Sequence, residues 1–192
     1  INLHVVFSED LPVDDIRNEF LNNLKIQFEH SDERTLRPES LKRLGSEAKN
    51  YHGDTCSDYI AGCKYARVKF DQIIEELEST KLFEGKYLIL LSGAEWGDID
   101  WDGQDAEKKR HLLSKSHGLF SNSPDDLMWA TGEKDLSQAD FKSEFGALKP
   151  VFAGSDTHDF ESLCEPNQER YCWLKAISNF EGLKQVVFEP RD

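Results

Sequence analysis

No stretch of this 192-residue chain approaches the ~20 consecutive apolar residues that span a bilayer, and no basic-then-apolar leader opens it. The expectation is a cytoplasmic protein without a membrane. Basic residues are scarce too, 23 Lys and Arg against 37 Asp and Glu, which gives a formal net charge of −14. Such a chain has no broad basic face with which to clamp a phosphate backbone, so a nucleic-acid substrate would need local cations or bound metal to attract it. The four cysteines, Cys56, Cys63, Cys164 and Cys172, include no Cys-x-x-Cys pair that would hold zinc. A chain this long does not need disulfide staples, so free, buried or partly buried thiols are expected. Also absent are a Gly-x4-Gly-Lys-Ser/Thr phosphate cradle and a Gly-x-Ser-x-Gly nucleophile elbow, which argues against P-loop nucleotide chemistry and serine-hydrolase chemistry.

What is present is an ordinary globular composition, 38% hydrophobic and 11% aromatic. Ile1 to Phe7 is a short β-branched run, predicted to be a strand buried on both faces. Val13, Ile16, Phe20, Leu21 and Leu24 then recur at helical spacing, as do Phe70, Ile73, Ile74 and Leu77. Residues 29–58 are polar and interrupted by Pro38, Gly45 and Gly53, and are predicted to be a surface insertion, partly flexible. Tyr87 to Leu91 reads as a strand, Asp105 to Ser114 as a polar helix and Gly118 to Phe120 as a weak strand. Ser123-Pro124-Asp125-Asp126 carries a capping serine, a proline at the first helical position and acids in the first turn. Phe141 and Phe145 lie one turn apart before Gly146, Pro150 to Ala153 reads as a strand, and Tyr171 to Ala176 as a last strand before a short helix opening near Asn179. Strands alternating with helices predict an α/β fold with a parallel sheet, open or closed, whose reactive residues belong at the carboxyl ends of strands.

Asp156 and His158 follow the strand at Val151 to Ala153 directly. In extended backbone, side chains two residues apart point the same way, so a carboxylate and an imidazole can converge on one ion. His4, inside an apolar strand, must either satisfy its ring nitrogens locally or place one on a metal. His117 precedes a weak strand, and hydrogen bonding within the fold is the simpler expectation for it. His30, His52 and His111 have polar neighbours and read as surface residues. Glu95, Asp98, Asp100 and Asp102 crowd the segment after Tyr87 to Leu91 but lack the spacing of a calcium loop, and are expected to be solvated.

Several ordered blocks carry a family resemblance: Phe145-Gly146-Ala147-Leu148-Lys149-Pro150, Gly154-Ser155-Asp156-Thr157-His158-Asp159-Phe160, Trp173-Leu174-Lys175-Ala176, and Phe180 to Gln185 with Glu189-Pro190. Together they resemble the end of a PHP (polymerase and histidinol phosphatase) domain, of the kind that precedes an SMC-like ATPase in bacterial TrlF-type proteins. The likeness is firm over residues 141–192 and looser towards Ile1. It implies a distorted seven-stranded βα (TIM-like) barrel forming a single domain over 1–192, with a pocket for two or three divalent ions such as Mn, Zn or Fe. It carries the closing Asp-x-His ligand pair onto Asp156 and His158. It also raises His4, because Leu3-His4-Val5-Val6 resembles the strand that supplies a ligating histidine, and it leaves His117 as a mid-domain ligand candidate. Lys175 and Lys184 become candidates for contacting phosphate.

The implied activity is hydrolysis of a phosphoester, in nucleic acid or a nucleotide, by water that the divalent ions acidify. The implied partner is an SMC-like ATPase, and DNA through that partner. The family's opening His-x-His, its Thr-Asp-His and its Gly-Val-Glu have no counterpart here, so the expectation is that they lie upstream of Ile1 and that the isolated chain is inactive. The rival expectation is a non-catalytic PHP-like docking or regulatory module beside an ATPase.

Overall fold

The computed structural model describes residues 2–27, 33–92, 99, 101–154, 157, 159–165, 169 and 171–190. Its backbone sorts into two compact units, one made of residues 1–9 and 87–192, the other of residues 10–86. Sequence pattern alone predicts one domain.

The first unit is built on a mixed four-stranded sheet in the order β1 (Leu3–Phe7), β4 (Tyr87–Ser92), β5 (Gly118–Phe120), β6 (Val151–Phe152). The expected parallel arrangement holds for β4, β5 and β6, whereas β1 runs antiparallel to β4 with His4 opposite Leu90 and Phe7 opposite Tyr87. β1 is thus an edge strand and only partly buried, not enclosed on both faces. Among the described residues the fold is α/β around this sheet, and the seven-stranded barrel expected from the resemblance goes beyond it.

The crossover from β4 to β5 carries α5 (Gly103–Lys115), and that from β5 to β6 carries α6 (Pro124–Ala130) and α7 (Gln138–Phe145). Each of the last two begins as its sequence predicts: Ser123 Oγ accepts from the Asp126 N–H, and Ser137 Oγ from the Asp140 N–H, at 3.4 and 3.2 Å. Gly146 ends α7 at φ 83°, a left-handed conformation that glycine adopts without strain. α8 (Phe180–Phe188) opens on Asn179, whose Oδ1 accepts from the Gly182 N–H at 2.8 Å. Tyr171 to Ala176 is not the predicted strand; it is irregular, with Trp173 88% exposed and no strand paired with it among the described residues.

Alternation along the strands gives the sheet two faces. On one, Val6 and Leu88 pack beneath Phe180, Leu183 and Val187 of α8. Gly118 lies on the same face, where an added Cβ would come within 3.1 Å of the Phe152 ring, so glycine lets that ring lie over β5. The opposite face carries Ile89, Leu91 and Leu119, each almost wholly buried. A separate aromatic cluster joins Trp101, Trp129, Phe141 and Phe145, with ring centroids 4.7–6.0 Å apart.

The second unit holds α1 (Val13–Ile16) continuing as a π turn (Arg17–Leu21), the hairpin β2 (Lys25–Gln27) and β3 (Glu33–Thr35), α2 (Pro38–His52), α3 (Asp58–Tyr65) and α4 (Phe70–Glu78). The segment predicted to be a flexible insertion is here mostly α2, and its Leu41, Leu44, Gly45 and Ala48 are buried. Leu41 and Leu44 form a core with Ile26, flanked by Leu36, Ala66 and Val68.

Candidate functional site

Because β4, β5 and β6 are parallel, their carboxyl ends share one rim of the sheet, the place where α/β proteins position reactive side chains. β6 ends there at Phe152, four residues before Asp156 and six before His158 in the sequence; these two and Ser155 lie outside the described residues. Its exit is tied down: the Gly154 N–H donates to Asn122 Oδ1 at 3.3 Å, and the Ser121 N–H to the Phe152 carbonyl at 3.1 Å. Further on, the Ser162 N–H donates to Asp159 Oδ1 at 2.8 Å, and Thr157 Oγ1 donates to the Asp159 carbonyl at 2.8 Å while also bonding the Ser162 hydroxyl. Two described parts of the Gly154–Ser162 stretch are therefore held by local hydrogen bonds. Asn122, a lone asparagine between a strand and a helix cap, carries no signal of its own in the sequence.

His4 comes to this rim through its register. Opposite Leu90, it meets the Phe120 ring edge-on at 5.0 Å, and Phe120 in turn lies 6.1 Å from Phe152, the last residue of β6. The His4 side chain is exposed and has no hydrogen-bond partner among the described residues, so it is not the satisfied core histidine that an apolar strand suggests. The reason is its place on an edge strand.

His117 belongs to the other end of the sheet. It precedes β5, and its backbone N–H donates to the Ile89 carbonyl at 2.7 Å while its ring Nδ1 accepts from the Ile89 N–H at 3.0 Å. A neutral imidazole has one lone pair to offer, and here the backbone takes it, leaving Nε2 as the protonated donor. That tautomer cannot ligate a metal, and the structure gives His117 a different role from the ligand the resemblance suggests. Burial, and then the nearby Lys149 ammonium, pull its pKa down to about 4.

No family model, no curated protein and no solved structure matches this chain.

Lys175 is exposed and lines a cavity of about 320 Å³ beside Phe152, together with Trp173 and Gln185. Lys184 is engaged by its own helix, 3.5 Å from Glu181 and with its ammonium 6.0 Å from the Phe180 ring. His52 is exposed and stacks on Tyr65 at 4.4 Å, and His111 is exposed on α5, both as expected of surface residues. His30, Glu95, Asp98 and Asp100 lie outside the described residues, and Asp102 stands at the start of α5 without capping it. All four cysteines are free thiols, and Cys63, Cys164 and Cys172 are more exposed than expected. Among the described residues no three His, Cys, Asp or Glu side chains gather around a common point. Of the residues proposed as ligands, the described structure thus supplies His4 at the carboxyl rim and assigns His117 elsewhere.

Proposed function

We propose that the first unit carries part of a PHP-type, metal-dependent phosphoesterase site, with Asp156, His158 and His4 as metal donors, in a protein coupled to an SMC-like ATPase. The observation that supports this reading is the register that sets His4, exposed and without a hydrogen-bond partner among the described residues, on the rim where β6 ends, four residues before Asp156 in the sequence. Two imidazoles and a carboxylate are the donor types that zinc, manganese and iron accept. Such ions would supply Lewis acidity and an acidified water for attack at phosphorus. The chain's own contribution is positional: β1 and β4 hold His4 by their ladder, and the Asn122 bond fixes the departure of β6. Lys175, exposed beside Phe152, is the lysine better situated to meet a substrate phosphate, since Lys184 is held by Glu181.

A second reading, the non-catalytic docking module, draws on Phe160, Trp173 and Ile177, which are 94, 88 and 77% exposed. Metal binding separates the two, and three donors suffice for it even where turnover by two or three ions would need more. Titration of Mn²⁺ into the chain, followed by electron paramagnetic resonance, should reveal a site that Asp156→Ala and His158→Ala each weaken by at least the roughly tenfold that even an outer-shell partner commands. His4→Ala should weaken it as well. Manganese affinity unchanged in all three variants, or no binding to the parent chain, would leave the docking module as the better account.

A further inference from the structure

A cavity of about 480 Å³ opens at the amino ends of β5 and β6, away from the rim described above, and both His117 and Lys149 line it. Lys149 is only 3% exposed. Its ammonium donates to the Ser116 carbonyl at 2.7 Å, and no carboxylate pairs with it among the described residues. An ammonium has three N–H donors, so two remain unused in a setting where a buried cation needs an opposite charge. The Nε2–H of His117 is a further donor without a hydrogen-bond partner among the described residues, its tautomer fixed by the bond from the Ile89 N–H. Among the described residues the exposed Lys142 also lines the cavity, and the one carboxylate in the lining is that of the exposed Glu189. A local excess of positive charge in a chain whose net charge is −14 is a feature that composition does not predict. Phe145, Leu148 and Val187 give the rest of the lining an apolar character.

We propose that this cavity binds a small organic anion, its oxyanion group on the Lys149 ammonium and the His117 Nε2–H and its body against Phe145, Leu148 and Val187. Phosphate monoesters and carboxylates share that chemistry. The volume leaves room for a ring or short chain beyond the charged group. Burial draws the Lys149 pKa down to about 8, which leaves the amine mostly charged at neutral pH, and an anion in the cavity would restore its normal basicity. The site is independent of metal and of the phosphoesterase reading.

Calorimetric titration of the whole chain in EDTA, with phenyl phosphate, inorganic phosphate and benzoate in turn, tests it. EDTA excludes the metal donors at the other end of the sheet, so failure here leaves the phosphoesterase reading untouched. Phenyl phosphate or benzoate should bind, the stronger of the two naming the oxyanion, and inorganic phosphate should bind less well because it has no body to bury. Lys149→Met should weaken binding by about tenfold to a hundredfold, as the loss of a charge-assisted hydrogen bond does. Lys142→Ser, at an exposed position where folding is not at risk, should weaken it by about twofold to fivefold. The imidazole nitrogen resonances of His117 should move on binding, which a merely surface-adsorbed anion would not cause. No binding of any of the three up to about 20 mM, a range that reaches weak millimolar sites, overturns the proposal. So does binding that leaves the His117 resonances in place, or that Lys142→Ser leaves unchanged together with a folded Lys149→Met.

Discussion

His117 shows how one hydrogen bond can decide a residue's chemistry. Its lone pair is committed to the Ile89 N–H, and protonating Nδ1 would turn that acceptor into a donor facing another donor while placing a charge beside Lys149. The folded-state pKa of about 4 lies below the ordinary histidine value of 6.5, so as pH falls through that window the unfolded chain takes up a proton that the native chain refuses. Stability contributed by the neutral ring is therefore intact above 6.5 and is lost progressively towards 4, by no more than about 3 kcal/mol in total. Carboxylates titrate in the same range, so the expected outcome is a difference: urea unfolding from mildly acidic to neutral pH should give a shallower loss of stability for His117→Gln, whose amide oxygen can accept from Ile89, than for the parent. Identical slopes would show that the ring does not sense this environment. Residue identity alone does not reveal any of this. The sequence marks His117 as a histidine before a weak strand, but which nitrogen is free depends on β4, 28 positions away in the chain.

At the scale of elements, most of what was legible came from clear chemical signals: the apolar run of β4, the apolar stripe of α4, and the caps at Ser123 and Asn179. Two elements depart from their sequence pattern for identifiable reasons. Trp173-Leu174 has residues suited to a strand but no partner strand among the described residues, and pairing decides strands more than propensity does. In α2 the buried positions 41, 44, 45 and 48 follow helical spacing, but two of the four are Gly45 and Ala48, which contribute little to an apolar stripe yet permit close approach. A Cβ added at Gly62 of α3 would lie 1.9 Å from the Leu41 carbonyl oxygen, and one at Gly45 1.8 Å from that of Asp58. These contacts are with backbone, which cannot rotate aside. Gly62→Ala should therefore destabilise the second unit by about 1–3 kcal/mol, as overpacking does, even though alanine favours a helix by about 1 kcal/mol over glycine. Urea unfolding followed by circular dichroism measures it, and a Gly62→Ala protein more stable than the parent would show that α2 and α3 do not meet this closely. The candidate site was legible in the same partial way: Asp-x-His and His4 stand out as residue types, while the edge position that exposes His4 and the Asn122 bond that holds β6 depend on strand order, which periodicity does not encode.

Across the whole molecule, the chain leaves the first unit after Glu9 and returns at Tyr87, yet the two ends of that excursion are adjacent because Phe7 is paired directly with Tyr87. Residues 10–86 are thus inserted where an antiparallel pair could be joined by a tight turn. Glu9 belongs with the first unit, since its Oε2 accepts from the Phe180 N–H at 3.2 Å at the start of α8, and it should be kept. Replacing 10–86 with a short Asn-Gly turn should leave the β1–β4 ladder, the α8 cover over Val6 and Leu88, and the cavity at Lys149 in place, because each is formed within the first unit. The shortened protein should unfold cooperatively on heating, show the strand and helix signals of the first unit by circular dichroism, and bind whichever anion the full chain binds with an affinity within about threefold, a change of under 1 kcal/mol. A hairpin turn also closes a far shorter loop than the one it replaces, so the β1–β4 pairing should form at lower entropic cost. Loss of cooperative unfolding in the shortened protein would show that residues 10–86 are part of what folds the first unit, and that the division of the backbone is one of shape rather than of stability.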